Sequence, residues 1–426
     1  MNSKGTMPGK EITAVRKTTP PAGDPSTVVW EGIEEMAREH VRAYIQDLLE
    51  EELTEFLGRA RYERRGGDAR GYRNGHGKPR RLTLSCGTIT LRRPRVRDMG
   101  ERFESRLLPF FVRRTREVDG LLPELYLHGL AEGDMDLALG GLLGDDAPIS
   151  ASTVARLKRK WQAEFDEWSR EDLSGLEVVY LWVDGVYVKA GLEKEKAAVL
   201  VALAALSDGT KRVVALKPGY RESVESWGEL LRDLGRRGMN PPCLVVGDGH
   251  LGIWGALPQV FPESDEQRCW NHKKRNVLDK LPKKVHSEAK ALLAKLTESQ
   301  SAEAAAARRD EFRDWCRGRG YDRAASCIAD DWERMVAFYR YPKEHWKHIR
   351  TTNPVESPFS SVRLRTDAAR RYKKVENATA VIWKVLRVAE KRFRRLDAPH
   401  LLRAVFDGAK FENGKPVEGP REEKAA

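Results

Sequence analysis

The chain has 426 residues, enough for two or more domains each with its own core. Hydrophobic residues make up 40% and charged residues 33%, and no run approaches the length of a membrane span, so the composition points to a soluble globular protein. Five scattered cysteines (Cys86, Cys243, Cys269, Cys316, Cys327) are too few for a disulfide framework, and the polar N-terminus lacks an apolar signal segment; a reduced, cytoplasmic protein is expected.

The net charge of +12 is concentrated in two blocks. Residues 59–116 hold 18 Lys/Arg against 5 Asp/Glu, and residues 363–395 hold 12 against 3, so the remainder is acidic on balance. A solubility surface intersperses the two signs; blocks of one sign suit a polyanion. Without a long basic amphipathic helix, nucleic acid is favoured over a membrane surface.

Residues 1–28 are rich in Pro, Gly, Thr and Lys without periodicity and are expected to form a disordered arm. From Trp30, apolar residues recur at Ile33, Met36, Val41, Ile45, Leu49, Leu53 and Leu57, the spacing of a helix within 29–66. Such a helix packs on its own domain or pairs with a second copy. Within 67–117, the alternating stretch 82–91 reads as a hairpin turning at Gly87 and Thr88. Its glycine-loosened flanks are dense in arginine, whose guanidinium suits bidentate contact with phosphate. Arg73, Arg80, Arg81, Arg92, Arg93 and Arg95 are the candidate DNA contacts there.

Segment 118–174 reads as three helices over 121–130, 134–143 and from about Ser150, with Asp134, Ser150 and Ser152 as cap-type residues. The basic third helix, with Arg156, Lys158 and Arg159, fits a helix-turn-helix-like unit entering a DNA groove.

Beyond it the texture becomes α/β. Strands are expected at 178–183, 186–190, 197–206 and 212–216, with Asp208-Gly-Thr as a hairpin turn. A helix over 224–234 then leads to a strand at 244–246. Three antiparallel strands, a helix and a parallel strand follow the layout of an RNase H-like mixed sheet. This places an α/β catalytic domain over 175–275 and 350–405, a helical insertion over 276–349, and a polar C-terminal tail over 406–426 that is mobile from Asn413.

Two carboxylates stand out. Asp184 lies in the apolar stretch 178–188, and Asp248 follows Leu-Val-Val-Gly 64 residues later. A charge in an apolar strand is costly unless something compensates it. Two aspartates delivered by adjacent strands can share divalent cations, and oxygen ligands favour Mg²⁺ or Mn²⁺. A pair of such ions can activate an attacking oxygen and stabilise a leaving oxygen at phosphorus. The candidate third carboxylate is Glu356, in Thr-Thr-Asn353-Pro-Val-Glu-Ser. Asn353 as N-cap, Pro354 at N1 and Glu356 at N3 also have the form of a capping box, so its spacing supports two roles.

The motifs Leu-Trp-Val-Asp184-Gly-Val-Tyr, Val-Val-Gly-Asp248-Gly-His-Leu-Gly-Ile-Trp, Arg268-Cys-Trp-Asn-His272-Lys-Lys-Arg-Asn and Glu344-His-Trp-Lys-His-Ile-Arg-Thr-Thr-Asn-Pro-Val-Glu356-Ser now bear on the identity. In this order, over about residues 30–402, the chain resembles the Mutator-like transposases of bacterial insertion sequences. The resemblance implies an Asp-Asp-Glu triad at Asp184, Asp248 and Glu356, which would bind two Mg²⁺ or Mn²⁺ ions. It explains the spacing of 108 from Asp248 to Glu356 by a helical insertion.

Cys269 and His272 match a Cys-x₂-His signature of that superfamily, for which a structural or DNA-positioning role is expected. His345 and His348 would complete four zinc ligands arithmetically, but a zinc site is not expected. Trp315, Trp332 and Trp346 are expected in the core. Arg363, Arg365, Arg370 and Arg371 follow Glu356 and are candidate DNA contacts.

The resulting expectation is a DNA transposase that binds the terminal inverted repeats of its element and acts on target DNA. It would work as a homodimer or larger assembly at the nucleoid, without a membrane. The alternatives are a structure-specific nuclease of the same fold and an inactive transposase-derived DNA-binding regulator.

Overall fold

Two compact units divide the chain: Met1–Leu122 with Gly133–Ser150, and Pro123–Glu132 with Ala151–Ala426. The computed structural model describes residues 25–64, 70–143, 151–190, 197–219, 222–249, 251–369 and 371–417. The three helices expected to form one unit over 118–174 are thus shared between the two.

In the first unit, helix α1 (Pro25–Leu57) is followed by β1 (Tyr72–His76), β2 (Arg80–Leu84), β3 (Gly87–Leu91) and β4 (Pro94–Arg97). The expected arm over 1–28 lies outside the described residues except at 25–28, which already belong to α1. Strands β2 and β3 form the expected hairpin, and β1 pairs antiparallel with β4. The turn is Ser85-Cys86 rather than Gly87-Thr88, because Leu84 pairs with Gly87 and Thr83 with Thr88. Gly87, at φ +122°, takes the left-handed backbone just where the second strand starts.

The buried side of α1 is confined to its second half. Leu49 packs with Leu82, Ile89, Leu91 and Leu108, and Leu53 and Leu57 pack with Phe103. Its first half leaves Trp30, Ile33 and Met36 exposed, and Tyr44 just past the middle is exposed too. Helix α2 (Arg116–Leu127) carries the chain into the second unit, and α3 (Met135–Leu143) returns to the first.

The second unit opens with α4 (Ala151–Trp168). A five-stranded sheet then forms from β5 (Val178–Val188), β6 (Ala197–Leu206), β7 (Lys211–Gly219), β8 (Leu244–Gly247) and β9 (Asp265–Arg268), in the order β7-β6-β5-β8-β9. Strands β5, β6 and β7 are antiparallel neighbours, whereas β5–β8 and β8–β9 are parallel. The two strands expected at 178–183 and 186–190 are one: β5 runs unbroken through Asp184 and Gly185, paired with Val201 and Leu200. Asp208 serves the hairpin turn, its Oδ1 accepting from the Thr210 backbone N–H at 2.8 Å.

Helices α5 (Val224–Arg236) and α6 (Leu251–Val260) cover one face of this sheet. Trp227, Leu230, Leu231 and Leu234 of α5 meet Leu181 and Val183 of β5 and alternate residues of β6. Each of these large side chains contributes roughly 1.5–3 kcal/mol by leaving water.

The helical segment after β9 comprises α7 (Trp270–Leu278), α8 (His286–Thr297), α9 (Ala302–Arg317), α10 (Asp322–Ala329) and α11 (Trp332–Val336), as the composition indicates. Then come α12 (Trp346–Ile349), α13 (Asn353–Glu356), α14 (Phe359–Ala368), α15 (Val375–Glu390) and α16 (Pro399–Phe406). Helix α15 packs on β7 and on α4, where Phe165, Trp168 and Trp383 form an aromatic cluster. The described part of the tail is more ordered than its polarity suggests: β10 (Phe411–Glu412) pairs with β11 (Lys415–Pro416), and Asn413 Oδ1 accepts from the Ala302 N–H at 2.9 Å, while residues 418–426 lie outside the described residues.

Candidate active site

Alternation along β5 sends Leu181 and Val183 into the α5/α6 core and leaves Tyr180, Trp182 and Asp184 on the other face. On that face the Tyr180 hydroxyl meets His345 Nδ1 at 2.8 Å, Trp182 Nε1 donates to the His348 carbonyl at 3.0 Å, and α13 packs on β5 and β6. The parallel register pairs Trp182 with Val246. Two residues further along each chain stand Asp184 and, just past the end of β8, Asp248. Neighbouring strands are about 4.8 Å apart, so the two carboxylates are delivered side by side.

Burial first, and then the Asp248 carboxylate, pushes Asp184 up to about 8, against the Gly185 N–H that donates to Oδ1 at 2.8 Å. Glu356 and Glu222 add to the upward push. Converging carboxylates held this way suit a divalent cation, whose charge would relieve their repulsion, and an all-oxygen donor set fits Mg²⁺ or Mn²⁺.

Glu356 closes α13, one position later than the sequence indicates. Thr352, not Asn353, is at the N-cap, and the Asn353 Oδ1 instead accepts from Asn271 Nδ2 at 2.8 Å. No capping box forms, since the Thr352 hydroxyl donates to the Glu356 side chain rather than accepting from a backbone N–H.

Cys269 and His272 lie one turn apart at the start of α7 and face this corner. The Cys269 backbone N–H donates to the Gly247 carbonyl at 2.7 Å, the residue before Asp248, and its sulfur lies 3.2 Å from Thr352 Oγ1. His272 Nδ1 is 3.8 Å from Glu356 Oε1. The arithmetically possible set of Cys269, His272, His345 and His348 is not assembled: His345 faces Tyr180 and the Ala398 carbonyl, and His348 lies 3.7 Å from Asp397. Among the described residues, the group with metal-ligand spacing is Cys269, His272 and Glu356.

Several neighbours escape a sequence reading. Glu222 is nearly buried and lies so close to Gly185 that a Cβ there would come within 2.2 Å of its Oε1. Tyr187, two residues after Gly185, donates its hydroxyl hydrogen bond to Glu222. A Cβ on Gly252 would meet the Glu222 carbonyl at 2.2 Å, and one on Gly249 would meet Arg268 Nε at 2.2 Å. These glycines flanking each aspartate are the one sequence signal that other groups crowd in. A cavity of about 570 Å³ borders Glu356, lined by Asn271, Lys274, Arg275, Lys290 and Asn353. Trp346 is buried; Trp332 is half-buried under the Arg309 guanidinium, and Trp315 stacks on Phe312.

The arginines singled out for DNA divide by what already holds them. In the first unit Arg81, Arg92 and Arg95 are exposed, and Arg93 and Arg102 lie over the Phe110 ring beside a cavity of about 900 Å³. Arg73 is instead engaged by Glu50 at 3.2 Å and Thr54 at 2.7 Å, and Arg80 by the Pro109 and Val112 carbonyls at 3.2 and 2.7 Å.

In the second unit Arg156, Arg159, Arg363 and Arg371 are exposed, and Lys158 sits 5.3 Å from the Tyr126 ring centroid. Arg365 is a correction: it is 1% exposed, donates to the Tyr126 and Leu130 carbonyls at 2.6 and 2.7 Å, and cannot reach a phosphate. Arg370 lies outside the described residues.

Fold and site define an α/β protein in which Asp184, within β5, and Asp248, just past the end of the parallel neighbour β8, lie two residues beyond a paired position. Residues 22–395 match the family described as "Transposase, Mutator family", and the chain belongs to that family. It is 45% identical over 301 residues to the transposase for insertion sequence element IS6120 of Mycolicibacterium smegmatis, covering 70% of this chain and 93% of that one. It is 37% identical to the transposase for IST2 of Acidithiobacillus ferrooxidans, covering 66% and 96%, and 30% identical to that for ISRM5 of Rhizobium meliloti, covering 81% and 85%.

Proposed function

We propose that this protein is the DNA transposase of an insertion sequence, with an RNase H-like catalytic fold in which Asp184, Asp248 and Glu356 bind two Mg²⁺ or Mn²⁺ ions. The observation that carries the reading is the Trp182–Val246 register, which brings Asp184 and Asp248 level in a chain of this family. Such ions, when bound, make an oxygen nucleophile available and neutralise the leaving oxygen.

The reaction has two displacements. Water attacks a phosphodiester at the element's end and releases a 3′-OH; that hydroxyl then attacks a phosphodiester of target DNA, forming one P–O bond as another breaks. Asp184, Asp248 and Glu356 hold the site's geometry, while Arg275 and Lys290, beside Glu356, are placed to take flanking phosphates.

Recognition of the terminal inverted repeats falls to the basic first unit, through Arg81, Arg92, Arg93 and Arg95, with Arg156, Lys158 and Arg159 of α4 contributing. The exposed Trp30, Ile33, Met36 and Tyr44 of α1 support self-association into a dimer or larger assembly. No helix among the described residues is long and apolar enough to cross a membrane, and a place at the nucleoid follows from the substrate. The test is Asp184→Asn assayed on end-labelled terminal-repeat DNA: cleavage and joining are lost while binding persists. Full cleavage by that variant overturns the triad, and cleavage by the unmodified protein without any joined product reassigns it as a nuclease.

A further inference from the structure

We propose that Thr352 is a positioning residue for Glu356, and that Cys269 and His272 act on the site by holding the Thr352 hydroxyl. The proposal rests on the reading of Glu356 as a metal-binding carboxylate.

Thr352 is fully buried, yet its hydroxyl has three polar neighbours. It hydrogen-bonds Glu356 Oε1, lies 3.2 Å from Cys269 Sγ, and lies 3.5 Å from His272 Nδ1. A hydroxyl has one hydrogen and two lone pairs. The carboxylate is the strongest acceptor of the three, so the hydrogen goes to Glu356. The Cys269 sulfur, at 3.2 Å, and His272 Nδ1, at 3.5 Å, flank the same oxygen and fix its place. The sulfur also accepts the Thr352 backbone N–H at 3.3 Å, a second tie between the same two residues. All three side chains thus meet around the Thr352 hydroxyl.

Cys269 is anchored by its own N–H to Gly247, so the network ties Glu356 to the strand end that delivers Asp248. The Glu356 carboxylate is a half-exposed group on a helix of one turn, and without this clamp its χ angles would be free. Among the described residues Oε2 takes no hydrogen bond, which leaves it available to a cation. Cys269, His272 and Glu356 also have the mutual spacing, within 4.8 Å, that a thiophilic metal would use. The Thr352 hydroxyl stands among these three groups, within 3.5 Å of both the sulfur and the imidazole and bonded to the carboxylate.

The experiment is Mn²⁺ titration by calorimetry on the full chain without DNA. Thr352→Val, which keeps the shape and removes the hydroxyl, should weaken Mn²⁺ binding by about ten- to a hundredfold, the usual cost of losing a group that orients a ligand. Thr352→Ser should retain wild-type affinity, and the melting temperatures of both should stay close to wild type. Wild-type affinity in Thr352→Val, or a Thr352→Ser variant equally weakened, overturns the proposal. Glu356→Gln separates the levels: unchanged Mn²⁺ affinity there refutes the underlying reading of Glu356. If Thr352→Val does not fold, His272→Ala and Cys269→Ala decide, since both keep Thr352; weakened binding supports the clamp, and wild-type binding in both refutes it.

Discussion

Glu222 leaves no room for a side chain on Gly185, the residue after Asp184, where a Cβ would stand 2.2 Å from the Glu222 Oε1. Because the clash is with the end of a side chain and not with backbone, Gly185→Ala should fold, at a cost of about 1–3 kcal/mol for overpacking. The displaced carboxylate then disturbs Asp184 directly. Strand cleavage should fall by at least tenfold, with DNA binding retained, as read by gel assays on the same DNA. Wild-type cleavage would mean that Glu222 is packed beside the site without influencing it.

Arg365 tests the distinction between a basic residue and a DNA contact. Arg365→Leu leaves the Tyr126 and Leu130 carbonyls without their donor and removes a guanidinium whose carbon lies 3.9 Å from the Tyr126 ring centroid. Thermal or urea unfolding should show a loss of about 2–4 kcal/mol. The salt dependence of DNA binding should be unchanged in the folded protein.

Arg275 and Lys290 should behave in the opposite way. Both are exposed beside Glu356. The double substitution to Ala should leave the melting temperature unaltered and lower the slope of log affinity against log salt by about 1–2, one unit per lost phosphate contact. An unchanged slope would remove the cavity from the DNA path.

His348 carries a pH signature. Burial first, and then Lys211, lowers it to about 4, while Asp397 acts in the opposite direction; Lys347 and His345 are its other charged or titratable neighbours and push it down. The ordinary value is near 6.5, so between about pH 4 and 6.5 the unfolded chain binds the extra proton and the folded chain resists it. The stability this group contributes is complete above that window and is lost as pH falls through it, by on the order of 3 kcal/mol. His348→Gln should flatten this part of the wild-type profile in denaturant titrations from pH 7 to 4.

What the sequence disclosed follows from how local each signal is. Asp184 and Asp248 were legible because a single carboxylate in an apolar strand is a cost visible in the chain itself. The mixed sheet was legible because Asp208-Gly-Thr forces an antiparallel return while a helix between β7 and β8 permits a parallel one. Glu356 needed the family resemblance, since its spacing alone also suits a helix cap.

Other features depend on what lies opposite in space. Arg365 looks like its neighbours Arg363 and Arg371, and only the packing of the 126–130 segment against it shows that it is buried. Glu222 reads as a loop residue ahead of the Ser223 N-cap, because nothing near it in sequence indicates Gly185. The turn preference of glycine points to a hairpin turn at Gly87 and Thr88. Pairing with Leu84 instead makes Gly87 the first residue of the strand.

The most direct test of the account is anomalous scattering from crystals of the protein soaked with Mn²⁺ and bound to a terminal DNA end. The account predicts two manganese peaks ligated by Asp184, Asp248 and Glu356. Peaks that leave Asp184 and Asp248 unligated, or that lie only on Cys269 and His272, would contradict it.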